Sequence, residues 1–87
     1  MKYKLVLEKT VIKFLSKLEK NTSKKVLLKI KELELNPFPS SAKRILNVKE
    51  LSFRIRIGEY RALYRIEDNK IVIVFLIDKR SRIYKKK

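Results

Sequence analysis

The feature that most narrows what this chain can fold into is a pair of alternating stretches joined at its only glycine. From Leu51 to Ile57, the apolar Phe53, Ile55 and Ile57 alternate with Arg54 and Arg56, the period of two that marks a half-buried strand. Gly58-Glu59 fits a two-residue hairpin loop, because glycine adopts the left-handed backbone that such a loop requires at its first position. Tyr60 to Ile66 then returns as the partner strand. With a loop of this length Ile57 faces Tyr60, Arg56 faces Arg61 and Arg54 faces Leu63. Phe53, Ile55 and Ile57 share one face with Tyr60, Ala62 and Tyr64, while Arg54, Arg56, Arg61 and Arg65 gather on the other with little acid to balance them. Like charges directly opposite each other destabilise a sheet by roughly a few tenths of a kcal/mol. Stability alone would favour Glu or Thr at one of these positions. A solvated face that only discourages aggregation would be served as well by lysine. Fixed guanidinium groups on one face are better explained as an anion cradle that grips phosphate through planar donors.

The remaining segments supply the partners of this hairpin. Residues 2–7 alternate with Tyr3, Leu5 and Leu7 on one face and read as a strand. Thr10 is placed to cap a helix whose apolar positions are Val11, Phe14, Leu15 and Leu18. Asn21-Thr22 reads as a short turn, and Ser23 as the cap of a second helix that turns Val26, Leu27, Ile30 and Leu33 inward. Pro37 and Pro39 stop that helix. Glu67-Asp68-Asn69-Lys70 is a polar turn. The apolar run from Ile71 to Ile77 fits a strand buried in the middle of the sheet. The resulting β-α-α-β-β-β order predicts one α+β domain over residues 1–87, a helical hairpin packed on a small, antiparallel-rich sheet.

Charge then narrows the function. Lys and Arg total 24 against 9 acids, a net charge of +15, which points to a partner rich in phosphate or carboxylate. All the arginines fall in the second half of the chain, at 44, 54, 56, 61, 65, 80 and 82, so the first half reads as scaffold and the second as site. The chain has neither cysteine nor histidine, which removes disulfides, the usual metal ligands and the usual general base. No metal or cofactor is expected. No apolar run is long enough to span a bilayer, and the expected compartment is the cytoplasm. Beyond the last strand, Lys79, Arg80, Arg82 and Lys85 extend the basic surface, and Tyr84 offers a stacking face for a base and a hydroxyl for hydrogen bonding.

Phe53-Arg54-Ile55-Arg56-Ile57-Gly58-Glu59-Tyr60-Arg61-Ala62-Leu63-Tyr64 resembles the hairpin signature of the RelE/ParE toxin superfamily. Arg80-Ser81-Arg82-Ile83-Tyr84 is similar to the family's closing Arg-x-x-x-Tyr. Length, element order and basic charge agree, so the resemblance covers nearly the whole chain. It implies a RelE-like, microbial-RNase-like fold. It also implies the toxin of a toxin–antitoxin pair, which cleaves mRNA in the ribosomal A site and is held inactive by an acidic RelB-like antitoxin, in an assembly such as a heterotetramer. On this resemblance Arg54 and Arg56 occupy the basic strand positions used in catalysis, Arg61 stabilises the transition state, Arg80 aids the leaving group, and Tyr84 stacks on or orients the substrate. Arg65, Lys79, Arg82 and Lys85 are expected to hold mRNA or ribosomal RNA. RNA can be cut by its own 2′-hydroxyl, so arginines aimed at one phosphate suffice for positioning and charge stabilisation without a metal. They are poor proton acceptors, which leaves the base open among Tyr84, Glu59, Glu50 and the ribosomal RNA. Many relatives carry histidine where this chain has Lys79, so a histidine-dependent route is not expected. Two other readings share the fold: a ParE-like inhibitor of DNA gyrase that acts by protein binding, and a non-catalytic nucleic-acid-binding module.

Overall fold

The computed structural model describes residues 2–79. Strand β1 (Lys4–Leu7) leads into helix α1 (Lys9–Ser16) and helix α2 (Lys20–Lys31), which ends in a 3-10 turn (Glu32–Glu34). Four strands follow: β2 (Lys43–Ile45), β3 (Leu51–Ile57), β4 (Tyr60–Glu67) and β5 (Ile71–Lys79). They form one mixed sheet in the order β1-β5-β4-β3-β2, with β1 parallel to β5 and the other pairs antiparallel. The two helices cover one face, an α+β arrangement. The expected element order holds with one addition, the three-residue edge strand β2. The apolar run is an interior strand, as expected, although the central place belongs to β4.

Both helices begin earlier than their polar residues suggest. The caps are Glu8 and Glu19, neither with a side-chain capping bond, in place of Thr10 and Ser23. Asn21, Thr22 and Ser23 lie within the first turn of α2, where polar residues cost a helix little. The turn between the helices is instead formed at 17–19. Val11 and Leu15 on α1, with Val26 and Ile30 on α2, are spaced by four residues and meet the sheet through Ile55, Ala62, Tyr64, Val72 and Val74. Leu27, expected to turn inward, is instead exposed on the outer side of α2 (36%) and takes no part in this core.

Tyr64, which is fully buried, ties the segment after α2 to the sheet by donating its hydroxyl to the Pro37 carbonyl at 2.7 Å. Its ring stacks on Phe53 at 5.6 Å, and Phe53 meets Phe38 edge-on at 5.4 Å. Positive φ at Asp68 and Asn69 builds the tight β4–β5 turn, a conformation that Asp and Asn accept more readily than most residues. The β4–β5 ladder is irregular at one point. Leu63 pairs with Leu76 and Tyr64 with Val74, leaving Phe75 as an extra residue on β5. No helix among the described residues is long and apolar enough to cross a membrane.

Candidate functional site

The hairpin has the register expected from its alternation. Ile57 pairs with Tyr60, Arg56 with Arg61, and Arg54 with Leu63. Gly58 has φ +60°, and Glu59 keeps a negative φ, the pattern of a type II′ turn. Pairs next to such a turn alternate between bonded and non-bonded. Arg56 and Arg61 form a non-bonded pair, with Cα atoms about 4.5 Å apart and side chains close together. Ile55, Ile57, Tyr60, Ala62 and Tyr64 are buried against the helices, which leaves the arginines on the open face.

The four hairpin arginines differ in surroundings. Arg56 is exposed and folds back so that its Nε donates to the Gly58 carbonyl at 3.2 Å. Arg54 is half-buried between Lys43 of β2 and Leu63 of β4, and its buried Nε has no hydrogen-bond acceptor. Arg61 is also half-buried and stands in register between Arg56 and Asp78. Arg65 is electrically balanced. Its Nε lies 3.0 Å from Glu67 Oε2 and one terminal nitrogen 3.6 Å from Glu8 Oε2, and its guanidinium sits 5.6 Å from the centre of the Phe75 ring. The open face therefore carries more acid than its arginine pattern implies.

The structure brings together Arg54, Arg56 and Arg61, with Arg65 one pair further along β4. Lys79 stands at the same end of the sheet but pairs with Tyr60, which directs it to the opposite face, where its Nζ is 3.8 Å from Glu59. Arg80, Arg82, Tyr84 and Lys85 lie outside the described residues. Of the carboxylates considered as a base, Glu59 belongs to the Lys79 ion pair. Glu50 lines a depression of about 470 Å³ on the open face, beside Leu63, Arg65 and Phe75.

One residue that sequence reasoning missed is Asp78. It is buried, faces Arg61 in register, and accepts a 2.7 Å hydrogen bond from the Lys79 backbone N–H. Strict alternation along β5 would have turned it towards the helices. The extra residue at Phe75 reverses that parity and brings a carboxylate into the arginine row. Among the described residues, no group of three or more His, Cys, Asp or Glu side chains is placed to hold a metal. The arginine row can do two things: hold a phosphate group through planar donors, and fix its orientation through the rigid hairpin.

Comparison with known proteins agrees with this geometry. The family model for the ParE toxin of type II toxin–antitoxin systems (parDE) matches residues 5–84. A curated relative from Methanocaldococcus jannaschii, named as a RelE1 toxin, is 34% identical over 89 residues, covering 98% of each chain. The chain superimposes on the archaeal RelE–RelB complex from Pyrococcus horikoshii with a TM-score of 0.81 and 25% identity, covering 94% of this chain and 99% of that one. It also superimposes on the RelBE2 toxin–antitoxin complex from Mycobacterium tuberculosis, with a TM-score of 0.74 and 25% identity over 92% and 100% of the two chains. With fold, hairpin and matches in agreement over nearly its full length, this chain belongs to the RelE/ParE superfamily and is a RelE-family toxin of a type II toxin–antitoxin system.

Proposed function

We propose that this toxin is an endoribonuclease that cuts mRNA in the A site of the translating ribosome. The observation that carries the reading is the cross-strand Arg56–Arg61 pair with half-buried Arg54 diagonal to it. Such a cluster lowers the stability of the sheet and gains a purpose when a phosphate lies between its members. The RNA supplies its own nucleophile. The 2′-oxygen attacks the adjacent phosphorus, the bond from phosphorus to the 5′-oxygen breaks, and the products are a 2′,3′-cyclic phosphate and a 5′-hydroxyl. Arg54, Arg56 and Arg61 stabilise the charge that builds on the pentacoordinate phosphate and hold it in line. Arginine keeps its own proton, so the proton of the 2′-hydroxyl passes to water or to ribosomal RNA, and no metal is required. Arg80 stabilises the negative charge on the leaving 5′-oxygen, which takes its proton from water to become the 5′-hydroxyl, and Tyr84 stacks on the substrate.

In this reading residues 1–87 act as a single domain in the cytoplasm, and an acidic RelB-like antitoxin holds the toxin inactive, with a heterotetramer as the resting assembly. Structural relatives of this chain are RelE–RelB complexes, which supports such a partner. The test adds purified toxin to a reconstituted translation reaction and maps mRNA ends by primer extension. Cuts confined to ribosome-occupied codons are expected. Intact mRNA together with inhibited supercoiling by DNA gyrase would overturn the proposal in favour of a ParE-like activity. Nucleic-acid binding with neither effect would identify a passive module.

A further inference from the structure

We propose that the depression beside the arginine row is a nucleobase subsite that prefers guanine, with Glu50 as its specificity-determining residue. This rests on RNA being the substrate, as argued above. The depression, about 470 Å³, is large enough for one base, and Ile45, Val48, Leu63 and Phe75 give it an apolar lining. It begins where the arginine row ends, because Leu63 both lines it and faces Arg54 in register. One two-residue step along the strands, about 6.8 Å, separates the Arg54–Leu63 pair from the Ser52–Arg65 pair inside the depression. A phosphate held by Arg54 and Arg61 thus has the base of a neighbouring nucleotide within reach of this space.

Two groups in the wall are suited to read a base. Glu67, Glu8 and the Phe75 ring hold the guanidinium of Arg65, whose charge is already answered by two carboxylates. A fixed, neutralised guanidinium plane is better suited to stacking on a base than to gripping a phosphate. Glu50 is exposed and makes no ion pair among the described residues, and its backbone is held by the buried Ser52 hydroxyl, which donates to the Glu50 carbonyl at 3.2 Å. A carboxylate offers two acceptors and no donor. Guanine alone among the four bases presents two adjacent donors, N1–H and N2–H, on its Watson–Crick edge. Adenine and cytosine place an acceptor nitrogen beside their amino group, which a carboxylate repels, and uracil flanks its one N–H with carbonyls.

The experiment measures binding of the full chain to short single-stranded RNAs that differ only in a central guanine or adenine, by fluorescence anisotropy, and repeats the translation cleavage assay over a panel of codons. The intact toxin should bind the guanine RNA about ten-fold more tightly, the discrimination of one bidentate contact. Glu50→Gln, which introduces a donor at the same size, should bring the two affinities together and erase any guanine bias in the cut sites. Equal affinities for the intact toxin, or a ratio unchanged in Glu50→Gln, would overturn the subsite. Guanine-selective binding that Glu50→Gln abolishes, with no cut in any codon, would uphold the subsite and overturn the nuclease reading. Cutting without regard to guanine, in the same pattern for both proteins, would overturn the subsite alone.

Discussion

Replacing Tyr64 with Phe removes one oxygen from the most buried ring among the described residues and gives a stability change that reverses with pH. The ring would keep its stack on Phe53, but the Pro37 carbonyl would lose the donor now 2.7 Å away. Leaving a buried carbonyl unsatisfied costs about 1.5 kcal/mol, which lowers Tm by roughly 6–12 °C in a chain of this size. Burial also pushes the Tyr64 phenol from 10.0 up to about 12. Between those values the unfolded chain has released this proton and the folded protein still holds it, so the folded state is favoured fully below pH 10 and loses ground as pH rises. The loss is about 1.4 kcal/mol per pH unit and reaches roughly 2.7 kcal/mol by pH 12. Tyr64→Phe has no such phenol. Its deficit should be full at pH 8, close to zero near pH 11, and inverted above that. Urea unfolding of both proteins, followed by circular dichroism at matched pH, measures the difference directly, because lysine titration is common to both and cancels. A deficit that stays constant from pH 8 to pH 11 would refute the assignment of a raised phenol, and no deficit at pH 8 would refute the role of the Pro37 bond.

The site gives further expectations. Arg54→Ala and Arg61→Ala should retain the circular dichroism of the parent and lose mRNA cleavage by about 100-fold or more, the scale of removing one transition-state donor; loss of the folded spectrum would instead make these arginines structural. Gly58→Ala meets no steric obstacle at its Cβ, yet forces an L-residue into φ +60°. It should cost about 1–2 kcal/mol in urea unfolding, and a neutral result would mean that the turn relaxes to another form. Binding of an acidic antitoxin should weaken steeply between low and physiological salt in a titration series. An affinity independent of salt would place the binding energy in apolar contacts such as those around exposed Leu28.

The hairpin was readable because one glycine and a strict period of two leave a single register, and that register sets three arginines side by side without any tertiary information. The helical core was readable from the four-residue spacing of Val11 with Leu15 and of Val26 with Ile30. Helix starts were not, since Thr10, Asn21 and Ser23 are cap-type residues and the backbone chose Glu8 and Glu19, whose side chains make no capping bond. Strand β2 is three residues long and exposed at the edge, too short to carry a period. The balance of Arg65 was also hidden. Its partner Glu8 is distant in sequence and meets it only because β1 and β5 are parallel neighbours, which sets the start of α1 near the open face.

The extra residue at Phe75 has a consequence for how the last strand tolerates change. Loops elsewhere can gain or lose a residue at small cost, and here the strand itself can lose one: without Phe75 the ladder becomes regular, and Leu76, Ile77 and Asp78 keep their places opposite Leu63, Ala62 and Arg61. A residue gained at 75–76 has the opposite effect. With still only one residue looped out, the rest of β5 turns over. Ile77 would leave the core to stand beside Arg61, and the Asp78 carboxylate would be driven under the helices. The row facing the substrate would lose an anion, a change of one charge unit, with no residue of the hairpin altered. Chain length at this one point sets the charge beside Arg61, so an insertion there would be felt as a charge mutation and a deletion would not.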